Sequence, residues 1–391
     1  MKILDLCEFF SERGGGVRSY LGKLAGAATQ RGHELVVVAP GPRDETLMLD
    51  GARVVRYAAP AMPYDPTYHW PWRVDRMRRL VKQESPDVLQ VSSPFVPALV
   101  ARTLRQVPVR AYVYHSDPIG CYVEPTARRW LSRRAADRAV DAAYTWMRAI
   151  SRSSDVTVVA GHWLERQLRA RRCPRVKTVP FGISHEDFGP NRRDPELRRE
   201  LLGPLADDPD ARLLLITGRL AVDKRQGMLV EAIVELAHSR PIGLVVLGDG
   251  PERPKLERKA QTMPAATFLS FTKDRAQYSS MLASVDALVH GSRCETYGFI
   301  LAETLASGTP LVIPDAGGAA AFAVPECTET YPSLGTSEDV AAAIERLLGR
   351  PAEELSRAAR ITGAAEPSTE EHFDKLFELY EQLLREAPVG S

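Results

Sequence analysis

The sequence predicts an α/β protein of two Rossmann-like, doubly wound domains facing a central cleft, and three observations carry that expectation. Short apolar runs rich in β-branched residues alternate with helical stretches through both halves of the chain. The length, 391 residues, exceeds what one ordinary core serves and favours two domains. A polar, Pro- and Arg-rich passage beginning at Ser184, SHEDFGPNRRDPELRRELLGPLADDPD, interrupts the alternation, which then starts again.

In the first half, KILDLCEF, SYLGKLAGAATQRG and HELVVVAP read as strand, helix and strand, and DVLQVS, PALVARTLRQ and RAYVYHS repeat that order. SSDVTVVAG and VKTVPFG supply further strands. In the second half the strands are RLLLITG, IGLVVLGDG, TFLSF, ALVHGS and PLVIPD, separated by helices such as QGMLVEAIVELAHS and YSSMLASV. Strand, helix, strand in this order argues for parallel sheets with crossovers. The last helix, over roughly 370–387, carries Phe373, Leu376, Phe377, Tyr380 and Leu384 on one stripe. The expected domains are therefore 1–183 and 184–369, with 370–391 crossing back to the first.

With 44% hydrophobic and 26% charged residues the composition is that of a globular protein. Net charge is +1, but residues 1–180 hold 29 Lys and Arg against 17 Asp and Glu, and the remainder 22 against 33. A basic first half suggests that one lobe meets an anionic surface or substrate. Five scattered cysteines without CxxC spacing point away from zinc and redox pairs and toward a reducing cytosol. Asp5 and Glu8 interrupt any leader-like apolar run, and no run approaches the roughly 18 apolar residues that span a bilayer. A cytoplasmic location is expected.

In doubly wound sheets, ligands bind at the carboxyl ends of the strands, so chemistry belongs in the loops that follow them. After the first strand, Gly14, Gly15 and Gly16 precede a helix, where backbone amides can approach a phosphate or sugar closely. The triplet is not GxGxxG, which disfavours dinucleotide binding. Arg219 and Lys224 in TGRLAVDKRQG lie just past a strand and can neutralise a diphosphate. Asp249 and Gly250 in LGDGP make either a tight bend or a ligand contact. Thr272 follows another strand, where main-chain groups can read a nucleobase edge.

The stretch CETYGFILAETLASGTP puts Glu295 in a loop and starts a helix near Gly298, whose first amides, over 298–300, offer an anion site. Carboxylates aimed at that anion would repel it, so each has another task. Glu303, more than a turn inside, can accept both hydroxyls of a ribose, and Glu295, free to point into the cleft, those of a sugar beyond the phosphates. His115 in AYVYHSDP closes a first-half strand beside Asp117; it is either structural or a sugar-hydroxyl contact.

Taken together, these motifs resemble the retaining glycosyltransferases of family four, which have the GT-B fold. The resemblance runs over nearly the whole chain and rests most on the E-x7-E of Glu295 and Glu303 placed after Arg219 and Lys224. It implies transfer of a hexosyl group from a UDP- or GDP-linked sugar, with retention and no metal or other cofactor. By matching position, Gly15 and Gly16 approach the donor, His115 contacts the transferred sugar, and Arg219 and Lys224 stabilise the departing diphosphate. Glu295 holds sugar hydroxyls, Gly298 and Phe299 give amides to phosphate, and Glu303 takes the ribose. Tyr297 stands where the family often has Phe. A rival metal site, the D-P-D of Asp208 and Asp210, falls in the linker.

The acceptor is less legible. YHWPWRVDRMRR at 68–79 and RRWLSRRAADR at 128–138 mix Trp with Arg, as segments lying on anionic membranes do, which favours a lipid or lipid-linked glycan acceptor. No nucleic-acid-binding signature accompanies them. The alternatives are a catalytically silent sugar-nucleotide-binding subunit and a GT-B-like epimerase.

Overall fold

Runs such as Leu35–Ala39 and Ile242–Leu247 are apolar at every position, a pattern buried only by a strand covered on both faces. Such strands form the centres of two parallel sheets. The computed structural model describes residues 1–10, 16–63, 65–272 and 274–387. The chain divides into two units, Met1–Pro180 together with the segment from Glu370 onward, and Phe181–Thr369.

The first unit runs β1 (Lys2–Leu6), α1 (Gly16–Gln30), β2 (Glu34–Gly41), β3 (Glu45–Leu49), β4 (Ala52–Ala58), β5 (Ala61–Met62), β6 (Asp65–His69), α2 (Val74–Glu84) and β7 (Val88–Val91). It continues through α3 (Val96–Ala101), β8 (Val109–Tyr114), α4 (Glu124–Trp130), α5 (Arg133–Ser153), β9 (Val156–Val159), α6 (His162–Ala170) and β10 (Val176–Thr178). Its eight-stranded sheet has the order β10-β9-β8-β7-β1-β2-β4-β3, parallel except for β3. Strand order reverses between β1 and β7, and the loops after β1, β7 and β8 converge there.

The second unit contains α7 (Pro195–Leu202), β11 (Arg212–Thr217), α8 (Gln226–Ala237), β12 (Ile242–Leu247), α9 (Arg253–Ala260), β13 (Ala266–Leu269) and α10 (Arg275–Ser284). It is completed by β14 (Ala287–Val289), α11 (Phe299–Ala306), β15 (Leu311–Pro314), β16 (Thr328–Tyr331), α12 (Ser337–Leu348) and α13 (Ala352–Ala364). The sheet order β13-β12-β11-β14-β15-β16 is the 3-2-1-4-5-6 arrangement of a Rossmann sheet, with its switch point between β11 and β14. Asp194 and Asp274 start α7 and α10 by accepting amides of their first turns, at 2.9–3.2 Å.

The helix α14 (Thr369–Glu386) then returns to the first unit. It buries Phe373, Leu376, Phe377 and Tyr380, leaves Leu384 half-buried, and pairs Asp374 with Arg31. His372 bridges the Tyr20 hydroxyl (3.1 Å) and the Pro180 carbonyl (2.8 Å).

Three segments are shorter than the sequence suggests. β10 ends at Thr178, and only the Val179 amide continues toward β9, donating to the Val159 carbonyl (2.9 Å). β13 ends at Leu269 because Ser270 and Phe271 turn to the Asp249 carboxylate. α3 stops at Ala101, where tight bonds from Thr103 and Leu104 close the turn.

Candidate functional site

In the first unit the strand ends gather acids, serines and one histidine. Asp5 on β1 is fully buried; its Oδ2 accepts from Ser92 Oγ (2.7 Å) and Gln90 Nε2 (2.6 Å). Burial pushes the Asp5 carboxyl up to about 7 against these bonds. Glu8, past the end of β1, accepts from Ser93 (2.6 Å) and is likewise pushed up to about 7. His115, following β8, lies with Nε2 3.0 Å from Ser92 Oγ and packs edge-on to Tyr20 at 4.7 Å. Burial lowers its pKa to about 3, so the ring is neutral.

Asp117, two positions past His115, is buried and bonded within its own turn. Its Oδ1 accepts the Tyr114 hydroxyl and the Ile119 and Gly120 amides (3.0–3.2 Å), which close the turn leading into α4. Gly16 opens α1, while Gly15 and Gly14 lie outside the described residues.

In the second unit, Lys224 and Glu295 meet at the switch point although 71 positions separate them. Lys224 Nζ donates to Glu295 Oε1 (2.6 Å) and Ser292 Oγ (3.4 Å), and His290 Nε2 stands 3.5 Å from the same carboxylate oxygen. Burial alone would raise the Glu295 pKa, but His290 and Lys224 hold it well below the usual carboxylate range. Glu295 is thus an ionised, engaged carboxylate, not the free one expected. Arg219, at the end of β11, is exposed and pairs with Asp223 (3.0 Å), so it does not join Lys224.

The loop carrying Glu295 is held from behind. The Gly318 amide donates to the Glu295 carbonyl (2.9 Å), and a Cβ at Gly317 would come within 2.0 Å of the Arg293 carbonyl oxygen. Only glycine, at φ 76°, allows this approach. Gly298, at φ 92°, caps α11, whose first intrahelical bonds run from Leu301 and Ala302 to the Gly298 carbonyl. Tyr297 is buried against Phe181, Phe299 and Phe322, and its hydroxyl donates to Glu366 (2.8 Å). What Tyr297 can offer a ligand is its main chain. Phe299 is half-exposed and stacks on Phe181 at 5.5 Å.

Glu303 is buried on α11 and accepts from Arg275 (3.1 Å) and the Tyr278 hydroxyl (3.1 Å). Tyr278 and Thr272 line one small pocket, about 100 Å³, with Leu247, Leu269 and Gln277. Asp249 ties the Ser270–Thr272 loop to β12 through Ser270 Oγ (2.9 Å) and the Phe271 amide (3.0 Å). Gly250 is a close-approach position, since a Cβ there would lie 2.2 Å from the Leu220 carbonyl oxygen.

Sequence reasoning passed over His290, Ser292, Arg275, Tyr278, Gly317 and Gly318, and in the first unit Asp5, Gln90 and Ser92. The Gly pair after PLVIPD and the HGS after ALV were visible signals at strand ends. Among the described residues no group of three or more His, Cys, Asp and Glu side chains is arranged to hold a metal ion. Asp208 and Asp210 sit on an exposed turn, where the Asp208 carboxylate accepts the Asp210 amide (2.8 Å). No described helix is long and apolar enough to cross a membrane.

Two Rossmann-like units with an ion-paired Lys and Glu at the second switch point are the GT-B fold of nucleotide-sugar glycosyltransferases. A solved sucrose-phosphate synthase from Thermosynechococcus elongatus superposes with a TM-score of 0.76 at 20% identity, over 99% of this chain and 100% of that one. Residues 14–187 match the family model described as Glycosyltransferase Family 4, and residues 211–350 that described as Glycosyl transferases group 1. A GDP-mannose-dependent alpha-mannosyltransferase of Mycolicibacterium smegmatis is 30% identical over 81% of this chain and 80% of its own length. A GDP-mannose-dependent alpha-(1-6)-phosphatidylinositol dimannoside mannosyltransferase of Mycobacterium tuberculosis is 28% identical over 92% and 91%. The chain belongs to glycosyltransferase family 4, and it is a nucleotide-sugar glycosyltransferase.

Proposed function

We propose that the protein moves a mannosyl group from GDP-mannose to a hydroxyl of a lipid or lipid-linked glycan, with retention at the anomeric carbon and without a metal ion. The names of its relatives support the donor and the acceptor class. The observation that carries the chemistry is the Lys224–Glu295 pair beside His290. A diphosphate leaving group builds negative charge as its bond to the sugar breaks, and a cation held in place beforehand stabilises that charge. An ammonium can bond several acceptors, so Lys224 can hold Glu295 and a phosphate oxygen together. Glu295, kept ionised, accepts sugar hydroxyls, and Glu303 accepts those of the ribose.

In this reading the C1–O bond to the diphosphate breaks while the acceptor oxygen bonds to C1 on the same face. The acceptor proton passes to the departing phosphate oxygen. His115 contacts the transferred sugar, by its matching position in the family. The acceptor belongs with the first, basic unit, where Trp72, Tyr122 and Trp130 are 60%, 59% and 73% exposed beside Arg73, Arg128, Arg129 and Arg133. Exposed aromatics among arginines suit an anionic membrane surface.

The test supplies GDP-mannose, UDP-glucose or ADP-glucose with an anionic lipid acceptor and follows label into the lipid fraction. Transfer from GDP-mannose that persists in EDTA is expected. Activity abolished by the chelator and restored by Mn²⁺ would remove metal independence, and the inverted anomer in the product would remove retention. Cosedimentation no better with anionic than with neutral vesicles would remove the membrane surface.

A further inference from the structure

A groove of about 560 Å³ opens on the first unit, at the amino ends of β8 and β9, and arginines dominate its lining. Arg102 and Arg105 come from the loop between α3 and β8, Arg110 from β8 itself, and Arg152 from the last turn of α5. Ala149 and Ser153 complete the lining, which holds no acid among the described residues. Arg110 on β8 and His115 just past its end are about 17 Å apart at the usual strand rise. The groove therefore lies at the opposite edge of the sheet from the strand ends that gather Asp5, Glu8, Ser92 and His115.

Arg110 is already engaged, since it pairs with Asp155 at 3.3 Å. The guanidiniums of Arg102, Arg105 and Arg152, all exposed, have no hydrogen bond or ion pair among the described residues. Other arginines of the same unit do find acids: Arg43 meets Glu45, Arg53 meets Glu34 and Glu84, and Arg171 meets Asp141. The carboxyl end of a helix favours a nearby cation, and Arg102 and Arg152 stand at two such ends. The carbonyls there are nevertheless bonded by other groups. Thr103 Oγ1 donates to Val100 (2.7 Å), Ser153 Oγ to Ile150 (2.8 Å), and Arg175 Nη2 to Arg152 (2.7 Å). Like charges gathered around one concavity repel, and a bound anion removes that repulsion.

We propose that this groove is an anion site, separate from the sugar-transfer chemistry, for phosphate groups presented together, as a diphosphate or adjacent lipid headgroups present them. Guanidinium forks match phosphate oxygens in pairs of bonds, and arginines approaching from three chain segments exceed what one carboxylate can satisfy. The volume suits a small ligand, and a lining of arginines with a serine and an alanine favours charge over hydrocarbon.

Two measurements on the full chain separate the two sources of phosphate. One is calorimetry with inorganic pyrophosphate in saturating GDP, which keeps the transfer site filled. The other is cosedimentation with phosphatidic acid vesicles against phosphatidylcholine vesicles. The groove variants are Arg102→Ala with Arg105→Ala, and Arg152→Ala; these side chains are exposed, so their loss leaves the fold intact. Arg166→Ala with Lys177→Ala, exposed on the same unit and outside the groove, is the control for charge alone.

Pyrophosphate binding is expected to weaken at least about tenfold in the groove variants and to persist in the control, the scale of losing a charged hydrogen bond. That result assigns the groove to a soluble diphosphate. A preference for phosphatidic acid vesicles that the groove variants lose and the control keeps, without pyrophosphate binding, assigns it to lipid headgroups. Binding unchanged in the groove variants, weakened equally in the control, or absent from the wild type in both measurements overturns the proposal. Neither measurement needs turnover, so the outcome is independent of the proposed function.

Discussion

Replacing Lys224 by alanine tests stability and catalysis together. The ammonium lies 2.6 Å from Glu295, and the two side chains are 27% and 18% exposed. Breaking a fully buried pair by deleting one partner costs about 3–5 kcal/mol. With roughly a quarter of the lysine in solvent and His290 still facing Glu295, about 2–3 kcal/mol is expected. At about 2–4 °C per kcal/mol for a unit of this size, the melting temperature should fall roughly 5–10 °C. Turnover should drop about 10²–10³-fold, the scale of removing one preorganised charge stabiliser. Arg219→Ala should cost less, since that guanidinium is exposed and already shared with Asp223. Glu295→Gln has the opposite sign for one ligand: with no carboxylate competing for Nζ, free GDP should bind more tightly while sugar transfer falls. The assays are kcat at saturating donor, calorimetric binding of GDP, and thermal unfolding. A Lys224→Ala, Arg219→Ala double variant with undiminished kcat would refute the reasoning.

Three further outcomes are expected. Glu303→Gln should weaken GDP binding roughly tenfold or more, the scale of a charged hydrogen bond, with little change in kcat; unchanged calorimetric affinity would remove the ribose role. Tyr297→Phe leaves the Glu366 carboxylate without its hydroxyl partner and should cost about 1–2 kcal/mol of stability with an unaltered donor KM. A shift in KM without a shift in melting temperature would contradict the packing role. Asp5 has a folded pKa raised from 3.8 to about 7, so the folded state binds the proton more tightly and stability falls as pH rises through that window. Asp5→Asn should remove the Asp5 share of this slope, at most about 1.4 kcal/mol per pH unit, and leave the share of Glu8, which is raised to about 7 as well. Parallel denaturation curves for the two proteins from pH 4 to pH 7 would show that Asp5 is not held protonated.

The strand and helix order was legible because the chain alternates β-branched runs with amphipathic segments, and the helix behind Glu295 was legible from Gly298 and Gly308. The capping acids Asp194 and Asp274 stood in plain view before their helices. What could not be read was which charges meet. Glu295 and Lys224 are 71 positions apart, so the sequence showed a carboxylate free to point, whereas the fold ties it to an ammonium and an imidazole. Asp5 registered only as an interruption of an apolar run, because its burial depends on β2 and β7 flanking β1. The edge strand β3 and the β5–β6 hairpin were also missed, since short edge pairs carry little periodicity of their own.

The return of α14 bears on the birth of the protein as well as on its finished form. The first sheet emerges from the ribosome early, yet the helix that places Phe373 and Tyr380 in its core is made only after the whole intervening unit. At about 5–20 residues per second that delay is on the order of ten to forty seconds. For that interval the nascent sheet exposes an apolar face, a natural point for chaperones to intervene, while the later unit can already close around its own core.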